Sequence, residues 1–387
     1  MNDTSEIAIL IDEFIRNPIG YHDEYLEKLI ERKDFTKQHL FHLLNKLCSS
    51  QNGPIINKSG ASRGTIGYLN RRSQKRRNEV FDKKLKSGFR SNSNNKVILA
   101  EGDSWFEYPI FIREILDYLT ASRHSDYAIY SVAHGSDWLS NMIYENQYIE
   151  QIQHLSPDVF LISGGGNDLV GKMRIIEMIE TPLKKPIYND EFYADRSRRS
   201  QIYKIHSRVQ FDEDKYNLGV EHLNKEFFRL IKSFKLQYTL IFHNMMINYD
   251  RFYDLKIITQ GYDYVIPSSK LGLGFNPFKL HKPISNIMMG NGKWLAKPLM
   301  AKGIQDPYIQ ESILYAMIFE FNEMLLAVAA KFDNVYHIDC RGLNNAKTWY
   351  NELHPESTIF KTISKAYEIC IDGKIKDKHI IVNALIG

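Results

Sequence analysis

Past residue 95 the chain alternates short aliphatic runs with longer stretches whose apolar residues recur at helical spacing. The runs Val97 to Ala100, Ala128 to Ala133, Val159 to Ser163, Lys256 to Thr259 and Val335 to Asp339 predict strands. Phe111 to Ala121, with Ile115, Leu116 and Leu119 on one face, and Ile309 to Ala330 predict helices. Strands that are apolar throughout are covered on both faces, and strand–helix alternation feeds parallel pairing. The expected class is α/β, a central parallel sheet buried between helical layers. Leu223 to Phe252 reads mostly as helix, from Phe227, Leu230, Phe234, Tyr238, Ile241, Phe242 and Met245. Its portion Tyr238 to Phe242 alone also reads as a strand.

The chain divides near residue 95. Residues 1–95 form a helical, basic N-terminal extension and linker, with helices over Ile7 to Ile15 and Tyr25 to Leu47. Its basic stretch carries Arg71, Arg72, Lys75, Arg76 and Arg77, which offer contact with an anionic surface or, more plainly, a solvated helix face. Ser87 to Asn95 is polar and reads as the linker. Residues 96–387 form the main domain, with insertions near 170–215 and 265–300 rich in aromatic, basic and Gly/Pro residues. Either insertion is placed to cover a site.

At 387 residues and 43% hydrophobic content the chain buries a full α/β core with length to spare. Cys48, Cys340 and Cys370 are odd in number and far apart, which fits a reducing compartment rather than a disulfide framework. The first residues lack a basic segment followed by an apolar one, and no run reads as a bilayer span, so a cytoplasmic location and no transmembrane segment are expected.

Chemistry concentrates where strands end. Gly102-Asp103-Ser104 closes the first run and puts a serine where α/β folds expose side chains to ligand. Gly164-Gly-Gly-Asn-Asp168 closes the Val159 run, and Glu352-Leu-His354-Pro355 lies near the C-terminus. A serine hydroxyl becomes a nucleophile when a neutral imidazole accepts its proton, and the oxyanion formed on attack needs fixed donors. Nucleophile, donor and base occur in that order.

These runs resemble the SGNH (GDSL-like) hydrolase family, bacterial serine esterases and lipases, over roughly residues 96 to 360. The resemblance implies a flavodoxin-like three-layer α/β/α sandwich with its site at the C-terminal edge of the sheet. It implies Ser104 as nucleophile, Gly135 in Val132-Ala-His-Gly-Ser136 and Asn167 as oxyanion donors beside the Ser104 N–H, and His354 as base. Gln260 to Pro267 is similar to a segment of bacterial members. No cofactor is implied, and no motif-level metal site is present.

One position departs from the family. Asn351 stands three residues before His354, where an aspartate is usual. An amide oxygen orients an imidazole but gives imidazolium no charge. Glu352, or the more distant Asp339, is an alternative partner, and a Ser104–His354 dyad needs none. Asp168 reads as a turn or cap residue rather than a reacting one. Gly166 to Met173 has the glycine and lysine spacing of a phosphate loop, but Met173 stands where a hydroxyl must hold Mg²⁺. The expected activity is hydrolysis of a small-molecule or lipid acyl ester through an acyl-enzyme. A weakened domain serving as a binding module, and a membrane-lipid-degrading effector, are the alternatives.

Overall fold

A computed structural model of the chain describes residues 65–108, 112–121, 126–135, 137–180, 209–267 and 294–385, with isolated positions before them. The expected helices over Ile7 to Ile15 and Tyr25 to Leu47, and most of both insertions, lie outside the described residues.

Six strands form one sheet, parallel at every pairing: β1 (Lys96–Gly102), β2 (Tyr127–Ser131), β3 (Val159–Ser163), β4 (Lys256–Gln260), β5 (Val335–Asp339) and β6 (His379–Ile381). Their order is β2-β1-β3-β4-β5-β6, so the chain reverses direction across the sheet between β1 and β3. In open parallel sheets ligands bind beyond the strand C-termini at such a switch point. The pairing Gly102↔Ser163 brings the ends of β1 and β3 level, and the sequences after them are Asp103-Ser104 and Gly164-Gly-Gly-Asn167.

Burial explains why these segments are strands. Val97, Ile98, Leu99 and Ala100 are all nearly or fully inaccessible, as are Val159 to Ile162. Each large aliphatic side chain so buried contributes roughly 1.5–3 kcal/mol. The covering helices are α1 (Thr65–Lys86), α2 (Ile115–Leu119), α3 (Leu139–Glu145), α4 (Gln147–Leu155), α5 (Gly166–Val170), α6 (Glu213–Val220), α7 (Lys225–Asn248), α8 (Ala296–Ala301), α9 (Pro307–Ala329) and α10 (Ser357–Ile371). The α2 helix is shorter than expected because Glu114 caps it, its carboxylate accepting from Leu116 N–H. The α7 helix absorbs Tyr238 to Phe242, so their strand alternative is not realised. By length and composition α9 is apolar enough to cross a membrane, but most of it is buried in the protein, where it packs on α6, α7 and the sheet.

The basic stretch corrects one expectation. Arg77 is not a surface charge: it is 7% exposed and donates to Glu107 at 2.6 Å, Glu114 at 2.5 Å and Asp117 at 3.2 Å. Burial opposes its charge, and the three carboxylates more than offset that, holding the guanidinium ionised. Arg71, Lys75 and Arg76 do face solvent. The inner face of α1 packs Phe81 on Tyr130 of β2 and otherwise bonds the sheet edge through polar side chains. Asn78 donates to Ser131 C=O at 3.0 Å and accepts from Ser131 N–H at 2.9 Å, and Gln74 donates to Ala133 C=O. Backbone groups of the edge strand β2 are thereby satisfied, which blunts the edge.

Candidate active site

The turn after β1 is tightly specified. A Cβ on Gly102 would lie 2.7 Å from the Phe106 ring and 2.8 Å from Ser163 C=O, so glycine alone fits that approach. Asp103 N–H donates to Ser163 C=O, Trp105 N–H to the Asp103 carboxylate at 3.0 Å, and Phe106 and Glu107 N–H to Asp103 C=O. The Ser104 N–H, in the middle of this turn, meets no acceptor among the described residues. Four bonded neighbours thus fix one unspent donor next to the serine hydroxyl.

The loop from β5 to α10 folds back on itself, Tyr350 N–H donating to His354 C=O at 2.8 Å, and it delivers His354 to that serine. His354 Nε2 lies 2.7 Å from Ser104 Oγ, and His354 Nδ1 lies 3.0 Å from Asn351 Oδ1. The Asn351 oxygen also accepts from the backbone N–H groups of Leu353 and His354, each at 2.9 Å. Backbone N–H groups only donate, so the atom facing them is the oxygen, and Nδ1 must carry the ring proton. Nε2 is left as a bare acceptor facing the serine, the tautomer a general base requires. Tyr108 packs edge-on against the imidazole at 4.5 Å, and Trp105 Nε1 donates to Leu353 C=O, tying the serine turn to the histidine loop. Burial with no anion beside it pushes the imidazole down to about 3, so the ring is neutral at physiological pH.

Two alternative partners for the histidine are corrected. The Glu352 carboxylate accepts from the backbone N–H groups of Trp294, Leu295 and Ala296 at 3.0–3.3 Å, at the start of α8. Its charge complements a helix N-terminus rather than the imidazole. Asp339, the last residue of β5, is bound by Arg341 at 2.6 Å and by His379 at 2.8 Å rather than by His354.

After β3, Asn167 lies in the first turn of α5 and lines the same cavity as Ser104 and His354. Its amide donates to Asp137 C=O at 2.9 Å, which orients the group and leaves its second N–H. Gly135 is buried in the turn closed by Asp137 N–H to His134 C=O, and its own N–H meets no acceptor among the described residues. It does not line the cavity; Asp137 links its turn to Asn167. Asp168 caps α3, accepting from Leu139 N–H at 3.0 Å. Lys172 and Met173 fall in a 3-10 stretch, not at a helix start, so the phosphate-loop spacing builds no cradle.

The cavity is about 50 Å³, with apolar walls from Trp105, Leu169, Val170, Val265, Ile318 and Leu353. Tyr262 is the residue that sequence reasoning passed over. Its segment stood out only by resemblance, yet its hydroxyl bonds both Asp103 and Gly166 inside the site.

No protein-family model matches this sequence, and no curated protein matches it. Solved structures do resemble it. A GDSL-like lipase of Parabacteroides merdae is 12% identical, with 72% of this chain and 96% of that chain covered and a TM-score of 0.35. A catalytic mutant of an acetylxylan esterase of Geobacillus stearothermophilus is 10% identical, with 72% and 94% covered and the same TM-score. An extracellular lipase of Streptomyces rimosus is 11% identical, with 68% and 94% covered and a TM-score of 0.33. These lipases and esterases belong to the class that the SGNH-like motifs suggested. Likeness this distant carries no argument about chemistry, which is read from the site itself.

Proposed function

We propose that this protein is a serine esterase. The observation that carries the reading is the 2.7 Å contact of Ser104 Oγ with His354 Nε2, on a ring whose tautomer Asn351 fixes from the other side. In this mechanism Ser104 Oγ attacks the ester carbonyl carbon while His354 Nε2 takes the hydroxyl proton. The tetrahedral oxyanion is held by the Ser104 N–H and the second N–H of the Asn167 amide. Collapse expels the alcohol, which leaves with the proton from Nε2, and an acyl-serine remains. His354 then deprotonates a water that attacks the acyl-serine, and the proton returns to Ser104. Asn351 supplies orientation without charge, so turnover falls below that of a triad with a carboxylate in its place.

The cavity selects the acyl group. Its walls are apolar, and a 150 Å³ apolar cavity is enough for the six carbons of benzene, so about 50 Å³ holds some two or three carbons. The substrate class is a short-chain acyl ester. Initial rates on aryl acetate, butyrate and octanoate test this, with Ser104→Ala as the control. Turnover of acetate and butyrate well above octanoate, lost in Ser104→Ala, is expected. Octanoate as the preferred substrate contradicts the short-acyl reading, and turnover that survives Ser104→Ala contradicts the serine mechanism.

A further inference from the structure

Tyr262 follows β4 and is 5% exposed. Its hydroxyl lies 2.5 Å from Asp103 Oδ2 and 3.1 Å from Gly166 N. The direction of both bonds follows from chemistry. Gly166 N–H is an obligate donor, so the phenol oxygen accepts there and its own proton goes to Asp103. The remaining Asp103 oxygen receives Trp105 N–H. One side chain therefore joins the turn that carries Ser104 to the start of the helix that carries Asn167.

The surroundings hold the ring in place. It meets Trp105 edge-on at 5.2 Å and Phe321 at 5.3 Å, and Asn322 donates to Tyr262 C=O at 3.0 Å. Position 166 must be glycine for the ring to reach so far in, because a Cβ there would lie 2.9 Å from Tyr262 Cζ. No other described side chain hydrogen-bonds both segments.

We propose that Tyr262 is a positioning residue: by bonding Asp103 and Gly166 together it sets the separation between the Ser104 nucleophile and the Asn167 oxyanion donor. The proposal rests on the esterase reading. It separates two jobs within one cavity wall, since the ring faces the acyl group while the hydroxyl spaces the reacting groups. A displacement of about 1 Å between such groups is enough to cost about 100-fold in rate.

Tyr262→Phe keeps the wall and deletes the link. The expected result is kcat for a short aryl ester lower by about 10- to 100-fold with KM within about twofold, and a parallel fall in the fluorophosphonate labelling rate of Ser104. Asp103 is faced by Tyr262, Tyr238, Tyr367 and Asp168, and both the Tyr262 O–H and the Trp105 N–H donate to its charged form. Loss of the Tyr262 donor raises the Asp103 pKa, read from its carboxyl ¹³C shift across a pH titration, a change that general loosening of the fold does not produce. If Tyr262→Phe does not fold, 3,5-difluorotyrosine at 262, a stronger donor, lowers the Asp103 pKa instead and keeps kcat within about threefold of wild type. Unchanged kcat and an unmoved Asp103 pKa in a folded variant overturn the proposal while wild-type turnover keeps the esterase reading intact. Wild type without Ser104-dependent turnover overturns both.

Discussion

Asn351 holds His354 through a single amide oxygen that accepts the ring Nδ1–H and two backbone N–H groups of its own loop. The same geometry suits a carboxylate. Asn351 Nδ2 sits 3.4 Å from the Tyr108 hydroxyl, which can turn its proton toward an oxygen placed there. Asn351→Asp therefore adds charge without breaking the turn. An opposite charge beside an imidazole favours its protonated form by 1–3 pK units in typical cases, so the His354 pKa rises from about 3. The expected gain in kcat at neutral pH is about 10-fold or more, smaller than the ~10,000-fold seen when the wrong tautomer is also corrected. Imidazole ¹⁵N shifts across a pH titration and ester kinetics check it; an unchanged ring pKa contradicts the account.

Asn167→Ala removes a side-chain oxyanion donor and should lower kcat by about 100- to 1,000-fold with little change in KM. Asn167→Asp should be at least as damaging, because it puts an acceptor, and near neutrality a charge, where the transition state needs a donor. Steady-state kinetics on a short aryl ester separate kcat from KM.

Glu352→Gln tests the opposite assignment. Its carboxylate supports the backbone of residues 294–296 rather than the imidazole, so the variant should lose about 1–3 kcal/mol of stability and keep kcat within about threefold. Denaturant midpoints and kcat measured on one preparation decide it. A large loss of kcat with an unmoved midpoint returns Glu352 to the catalytic centre.

Arg77→Met leaves Glu107 and Glu114 buried without their cation. Removal of one member of a buried ion cluster typically costs about 3–5 kcal/mol, which should appear as a large drop in Tm. Arg71→Met, on the exposed face of the same helix, should leave Tm nearly unchanged.

Burial raises the carboxyls of Asp103 and Asp168 to about 6 and those of Asp137 and Asp263 to about 7. In the unfolded chain they titrate near 3.9, so from there up to pH 7 the folded state binds more protons. Their contribution to stability is present below pH 4 and lost as pH rises through 6 to 7. His354 works in the other direction, its contribution present above 6.5 and lost as pH falls toward 3. His134 is lowered like His354, while Glu101, Glu114 and Glu323 are raised like the four aspartates, so the raised carboxyls outweigh the two imidazoles and the urea midpoint should be higher at pH 5 than at pH 7.5.

The sequence made β1 and β3 legible because each carries an unbroken aliphatic or aromatic run, Val97 to Ala100 and Val159 to Ile162, as a sheet covered on both faces demands. It made Ser104, Asn167 and His354 legible because each follows a strand or precedes a helix in a short, distinctive run. The β6 strand was not legible: three residues, His379 to Ile381, show no period, and pairing with β5 alone makes them a strand. Arg77 read as one of many surface cations because most of the inner face of α1 bonds backbone edges and carboxylates, and the two apolar residues there, Phe81 and Leu85, mark too short a stripe to point to it. Glu352 and Tyr262 were illegible for a related reason. What each does depends on backbone groups far away in the chain, at residues 294–296 and at Gly166, which no local pattern records.

The central claim is that His354 activates Ser104, and the direct measurement is mass-spectrometric mapping of a fluorophosphonate adduct on folded protein. The account predicts one adduct, on Ser104, formed in wild type and absent in Ser104→Ala and in His354→Ala. Wild type that is folded yet unlabelled, or a His354→Ala variant labelled at the wild-type rate, contradicts it.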